Sequence, residues 1–127
     1  MTTVLHLGKP VPWKRTRGQG NRRYLDPDYR AWKEAFGWTA KTAHDGKPWD
    51  WPVIVSILIA PDGAKAKFVP LGIDPRFDAV PIVERPKGIR GDIDNYVKAV
   101  NDAVQGIVIV DDRLVVAVRA AFAVTVN

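Results

Sequence analysis

The residues best suited to chemistry lie in Gly91–Val116, GDIDNYVKAVNDAVQGIVIVDDRLVV. Asp92 and Asp94 stand two apart, a spacing that points both carboxylates to one side where the backbone is extended. Asp111 and Asp112 follow a short helical pattern that Gly106 stops. The chain can therefore double back and bring the second acid pair toward the first. Three or four carboxylates in one pocket repel one another unless a divalent cation neutralises them, so the pattern reads as a Mg²⁺ or Mn²⁺ site. Lys98 follows Asp94 by four, on the same helical face and away from the apolar stripe. An ammonium there can stabilise the extra negative charge of a pentacovalent phosphate. It can alternatively move a proton to or from a reacting oxygen. Asp102 continues the same stripe and reads as a support for Lys98.

Each of these residues also has a plainer reading. Asp92 suits a helix N-cap, and Asp94 suits the first turn, where the helix dipole favours an acid. Asp94 and Lys98 suit an exposed ion pair worth about 0.3–0.5 kcal/mol. Asp111 and Asp112 suit a turn before a strand. What favours the chemical reading is that all of them occur together on a basic chain with no other catalytic constellation.

Composition narrows the choice. The chain has 127 residues, the size of one ordinary domain, and is 46% hydrophobic and 26% charged, as expected for a folded protein. It has no cysteine, which removes disulfides, thiolate zinc sites and cysteine nucleophiles. His6 and His44 are the only histidines and lie far apart, so any metal must sit on oxygen ligands. No apolar run approaches the roughly 20 residues of a membrane span. The N-terminus lacks the order of a secretory signal, and the cytoplasm is the expected compartment. The net charge is +5 and unevenly spread: residues 1–25 carry Lys9, Lys14, Arg15, Arg17, Arg22 and Arg23 and no acid. An excess held in one segment points to an anionic partner, although a charge run is also what a solvated face looks like.

The elements that must position these groups follow from periodicity. Thr3–Leu7 alternates and reads as a strand, followed by a basic loop over Gly8–Tyr24. Asp26 as N-cap and Pro27 at the first position open a helix whose stripe is Tyr29, Trp32, Phe36, Ala40 and Ala43. Gly37 weakens its middle. Pro52–Ala60 is apolar nearly throughout and reads as a central strand covered on both faces. Pro61–Gly91, rich in proline and glycine, reads as a long loop with a short strand around Ala79–Glu84. Ile93–Gln105 reads as a helix with Ile93, Tyr96, Val97, Val100 and Val104 on one face, and Leu114–Val126 as a long final strand. The fold class expected is α/β (α+β), a small mixed sheet with two helices packed on it.

The residue order resembles that of the RusA family of Holliday junction resolvases. The resemblance lies in D-x-D-N-x-x-K-x-x-x-D-A-[LV], a glycine, a short apolar run, then D-D and a strand. Here those places hold Asp92, Asp94, Asn95, Lys98, Asp102, Ala103, Val104, Gly106, Asp111 and Asp112. A weaker match lies near the N-terminus, in Pro12, Lys14, Arg15, Arg17, Tyr24, Tyr29 and Trp32. The resemblance implies a two-fold homodimer that binds four-way DNA junctions and nicks two strands symmetrically with Mg²⁺ or Mn²⁺. It assigns the metal ligands to Asp92, Asp94 and Asp112 and the essential lysine to Lys98, and leaves the role of Asp111 open. The long Pro61–Gly91 segment and an end 15 residues after Asp112 depart from some family members.

On that reading Lys14, Arg15, Arg17, Arg22 and Arg23 track DNA phosphates. Trp13 and Tyr24 either stack on an unpaired base or pack on the domain. Five tryptophans and the apolar final strand offer surface for a homodimer. The competing readings are a junction-binding protein that does not cut, a metal-dependent phosphohydrolase acting on RNA, and a protein-interaction domain.

Overall fold

The structure, a computed structural model, describes residues 1–14, 17–19, 22–24, 26–75 and 82–127, with the backbone alone for 17–19, 22–24 and 82. Strand β1 (Thr2–Leu7) buries Thr2 and Val4 and exposes Thr3 and Leu5, the alternation its sequence carries. The basic segment is not wholly loop. It contains a small antiparallel hairpin, β2 (Arg17–Gln19) and β3 (Arg22–Tyr24), with Gly18 opposite Arg23.

Helix α1 (Pro27–Ala43) starts where its signals place it: the Asp26 carboxylate accepts the Tyr29 backbone N–H at 3.2 Å. Tyr29, Trp32, Phe36, Gly37 and Ala40 are buried, whereas Ala43 is exposed. The inward place at that end is taken by His44. Its Nε2 donates to the Lys47 carbonyl at 2.9 Å, which leaves Nδ1 to accept the Thr2 hydroxyl at 2.7 Å. His6 contacts the Thr39 hydroxyl through Nδ1 at 2.8 Å. Both histidines thus tie β1 to α1.

Strand β4 (Val53–Ala60) is the expected central strand. Val55, Ile57 and Ile59 face the helix-side core, and Leu58 and Ala60 join Ala123 and Val126 on the other face. The supposed long loop instead holds β5 (Gly63–Pro70), paired with β4 along its length and with β1 on its other edge. Its sequence, GAKAKFVP, alternates by two, but glycine, alanine and lysine are weak strand formers, which hides it from propensity. Ala64, Ala66 and Phe68 enter the core between half-buried lysines 65 and 67. Strand β6 is only Ile82–Val83; the rest of the strand expected from Ala79 begins outside the described residues.

Helix α2 (Ile93–Val104) buries Tyr96, Ala99, Val100, Ala103 and Val104. Gly37 is where the two helices come close: a Cβ there would lie 3.2 Å from Ile107 Cδ1 and 3.3 Å from the Ala103 carbonyl oxygen. The glycine that costs helix propensity is therefore the one that admits the second helix. After α2 the chain is pinned to Trp49, through Trp49 N–H to Val108 O at 2.7 Å and Val110 N–H to Trp49 O at 2.9 Å. A 3₁₀ turn (Asp112–Leu114) then leads into β7 (Val115–Ala123).

The last strand is shorter than Leu114–Val126 at both ends. The Asp111 carboxylate caps the turn by accepting the Arg113 N–H at 2.9 Å. Asp62 draws off the tail by accepting the Thr125 hydroxyl at 2.6 Å and the Val126 N–H at 3.1 Å. The sheet order is β1-β5-β4-β7-β6, with β4 and β7 parallel and the other neighbours antiparallel. This mixed sheet carrying two helices is the α+β class expected.

Candidate active site

The site is built around α2. Gly91, at φ +90°, sets the turn that delivers Asp92, and Pro12 Cγ lies 3.2 Å from where its Cβ would be. Only glycine combines that conformation with so close a neighbour. Asp92 occupies the N-cap position, yet its side chain makes no capping bond. It pairs with Arg85 at 3.3 Å and is 77% exposed. Asp94, in the first turn, is exposed.

Four residues beyond Asp94, Lys98 lies over the Trp13 ring, its Nζ 4.9 Å from the centroid. Among the described residues no ion pair joins Lys98 to Asp94. Trp13 is held in place by donating its backbone N–H to the Asn95 carbonyl at 3.0 Å. It is half-buried against the core, the packing alternative of the two expected for it.

Asp112 lies across a cavity of about 480 Å³ that Trp13, Lys98, Asn101 and Asp102 also line. The structure therefore gathers Lys98, Asp102 and Asp112 in one cleft and leaves Asp92 and Asp94 outside its walls. Direction explains this. Tyr96 meets Phe122 edge to face near the end of β7, while Asp102 shares the cavity with Asp112, just before β7 begins. Helix α2 thus runs counter to β7, and the eight residues from Asp94 to Asp102 rise by about 12 Å. The oxygen donors suit a hard cation such as Mg²⁺ or Mn²⁺. Their placement does not: among the described residues, no three histidine or acidic side chains form a group able to hold a metal ion.

Asp102 was expected to support Lys98. It instead accepts the Tyr29 hydroxyl at 2.6 Å and pairs with Lys33 at 3.2 Å, clamping α2 to α1. Burial, and then the bond and charge of Asp102, push the Tyr29 hydroxyl far above its ordinary pKa. Asp111 points to Arg113, and the Arg113 backbone N–H, with the guanidinium behind it, holds its carboxyl below the usual carboxylate range. Burial lowers the pKa of His6, which keeps it the neutral partner of Thr39.

Of the cations expected on DNA, Lys14 is exposed and 3.6 Å from Asp26. Arg15 lies outside the described residues, as do the side chains of Arg17, Arg22, Arg23 and Tyr24. Lys9, counted in the basic N-terminal segment, and Arg90, not singled out in the sequence, join Lys14 around a groove of about 530 Å³ floored by Pro12, Trp32 and Tyr96. No sequence signal ties Arg90 to that groove, because the turn at Gly91 places it there. Among the described residues no helix is long and apolar enough to cross a membrane.

The family model described as Endodeoxyribonuclease RusA matches residues 8–127. The search of curated proteins found no match.

Proposed function

Because the chain belongs to the RusA endodeoxyribonuclease family, whose membership implies Holliday junction resolvase activity on branched DNA, we propose that it resolves four-way junctions by paired symmetric nicks during recombination and repair. The observation that carries this beyond the family is the cleft that Lys98 and Asp112 both line. An ammonium in that position can stabilise the charge that builds on a phosphate under attack. Water adds to phosphorus, the bond to the 3′ oxygen breaks, and that oxygen takes up a proton. The products are a 5′ phosphate and a 3′ hydroxyl. Lys9, Lys14 and Arg90 hold the flanking backbone at the groove, and Arg15, Arg17, Arg22 and Arg23 are proposed as further phosphate contacts.

The proposed cofactor is Mg²⁺ or Mn²⁺ on Asp92, Asp94 and Asp112, where it would supply a Lewis acid and a water of lowered pKa. Among the described residues they form no ready-made group of three, so the proposal requires Asp92 and Asp94 to reach the ion that Asp112 holds. Two matched nicks need two sites, which a two-fold homodimer supplies. Val116 and Val118, exposed on β7, offer apolar surface for it, and sedimentation of the parent as a monomer would remove that part.

The test compares the parent with Asp94→Asn and Asp112→Asn. An amide oxygen is a poor ligand for a hard cation, so both variants are expected to bind the junction as the parent does and to cut it at least about a hundredfold more slowly. Parental cutting rates in Mg²⁺ would remove these two acids from the site.

A further inference from the structure

We propose that Trp13 is a positioning residue for Lys98, its indole face fixing the ammonium in the cleft it shares with Asp112. The inference deepens the reading of Lys98 as the group that faces the phosphate, and rests on it. A lysine reaches its target on a flexible four-carbon stem, so an exposed one spreads over many rotamers. Lys98 is exposed, and no carboxylate among the described residues pairs with it. Asp94, the acid one turn before it, makes no such pair, and Asp102, the acid one turn after it, is taken by Tyr29 and Lys33. What meets the ammonium is the Trp13 ring, at 4.9 Å from its centroid and within cation–π range.

The ring is itself fixed. Its backbone N–H is bonded to Asn95, one turn before Lys98 on the same helix, and the ring packs against the core. Trp13 and Lys98 are thus both anchored to α2. A carboxylate partner would neutralise Lys98 and compete with a phosphate for it. An aromatic face holds the ammonium without supplying a formal negative charge, so the full charge stays available to the substrate.

Two variants separate positioning from packing. Trp13→Phe keeps an aromatic face, whereas Trp13→Leu keeps an apolar side chain without one. Trp13→Leu is expected to lower kcat for junction cutting about tenfold with KM and junction affinity unchanged, and Trp13→Phe to restore most of it. A readout independent of cutting is the NMR resonance of the Lys98 ε-methylene. Ring current is expected to displace it in the parent and in Trp13→Phe, and the displacement should vanish in Trp13→Leu. An undisplaced resonance in the parent overturns the proposal, as does equal loss of kcat in both variants or parental kcat in Trp13→Leu. If the parent shows the displaced resonance but cuts no junction, the contact stands and the reading of function fails instead.

Discussion

At the scale of single residues, Asp102 shows how a residue inside a functional motif can serve the fold. Its carboxylate takes the Tyr29 hydroxyl at 2.6 Å and the Lys33 ammonium at 3.2 Å, both from α1. Removing it leaves a part-buried hydroxyl without an acceptor, which costs about 1–3 kcal/mol. Asp102→Ala is therefore expected to lower stability by that amount in denaturant unfolding. Asp102→Asn, which still offers an oxygen to Tyr29, should cost less. Equal losses in the two variants would assign the clamp to the Lys33 charge rather than to the hydroxyl. The spacing of Asp92, Asp94, Lys98 and Asp112 could be read from the sequence because it is local or bridged by one short helix. The partners of those residues could not be. Nothing in the chain order announces that Trp13 lies beneath Lys98, that Arg85 meets Asp92, or that Tyr29 claims Asp102. Each contact joins segments that only tertiary packing brings together.

At the scale of elements, α1 packs closely against the end of α2, and Gly37 permits it. Gly37→Leu would drive a side chain into Ile107 and the Ala103 carbonyl. The expected loss is about 1–3 kcal/mol from overpacking, outweighing the gain in helix propensity. Unfolding midpoints measure it, and a variant more stable than the parent would show that the helices separate freely. The helices themselves were legible because their caps and stripes are strong: Asp26–Pro27 for α1, and for α2 the buried run of Tyr96, Val100 and Val104. Strand β5 was not. Its residues are poor strand formers individually, and it is held by pairing with β1 and β4 on its two edges. The hairpin β2–β3 was missed for a related reason, since glycine and arginine do not signal strands.

At the scale of the whole molecule, charge and topology decide what the surface can hold. The first 25 residues carry the excess positive charge of the chain, and two of their lysines, Lys9 and Lys14, line one groove with Arg90. Each phosphate contact contributes to the salt dependence of binding. Lys14→Gln combined with Arg90→Gln should weaken binding to all DNA forms and flatten the plot of log affinity against log salt by about two. An unchanged slope would take the groove out of the phosphate path. The direction of α2 against β7 is a property of this same scale, and it places Asp102 rather than Asp94 on the cavity that Asp112 lines. Spacing along the sequence carries no information about which way a helix crosses a strand, so it could not tell which acid of α2 lines that cavity.

The most direct measurement incubates the parent protein with four-way, three-way and linear duplex DNA, each in Mg²⁺ and in EDTA, and resolves the strands. The expected result is a pair of symmetric nicks in the four-way junction, in Mg²⁺ only, with the other substrates intact. Junctions bound but uncut in Mg²⁺, equal cutting of the linear duplex, or nicks that persist in EDTA would contradict it.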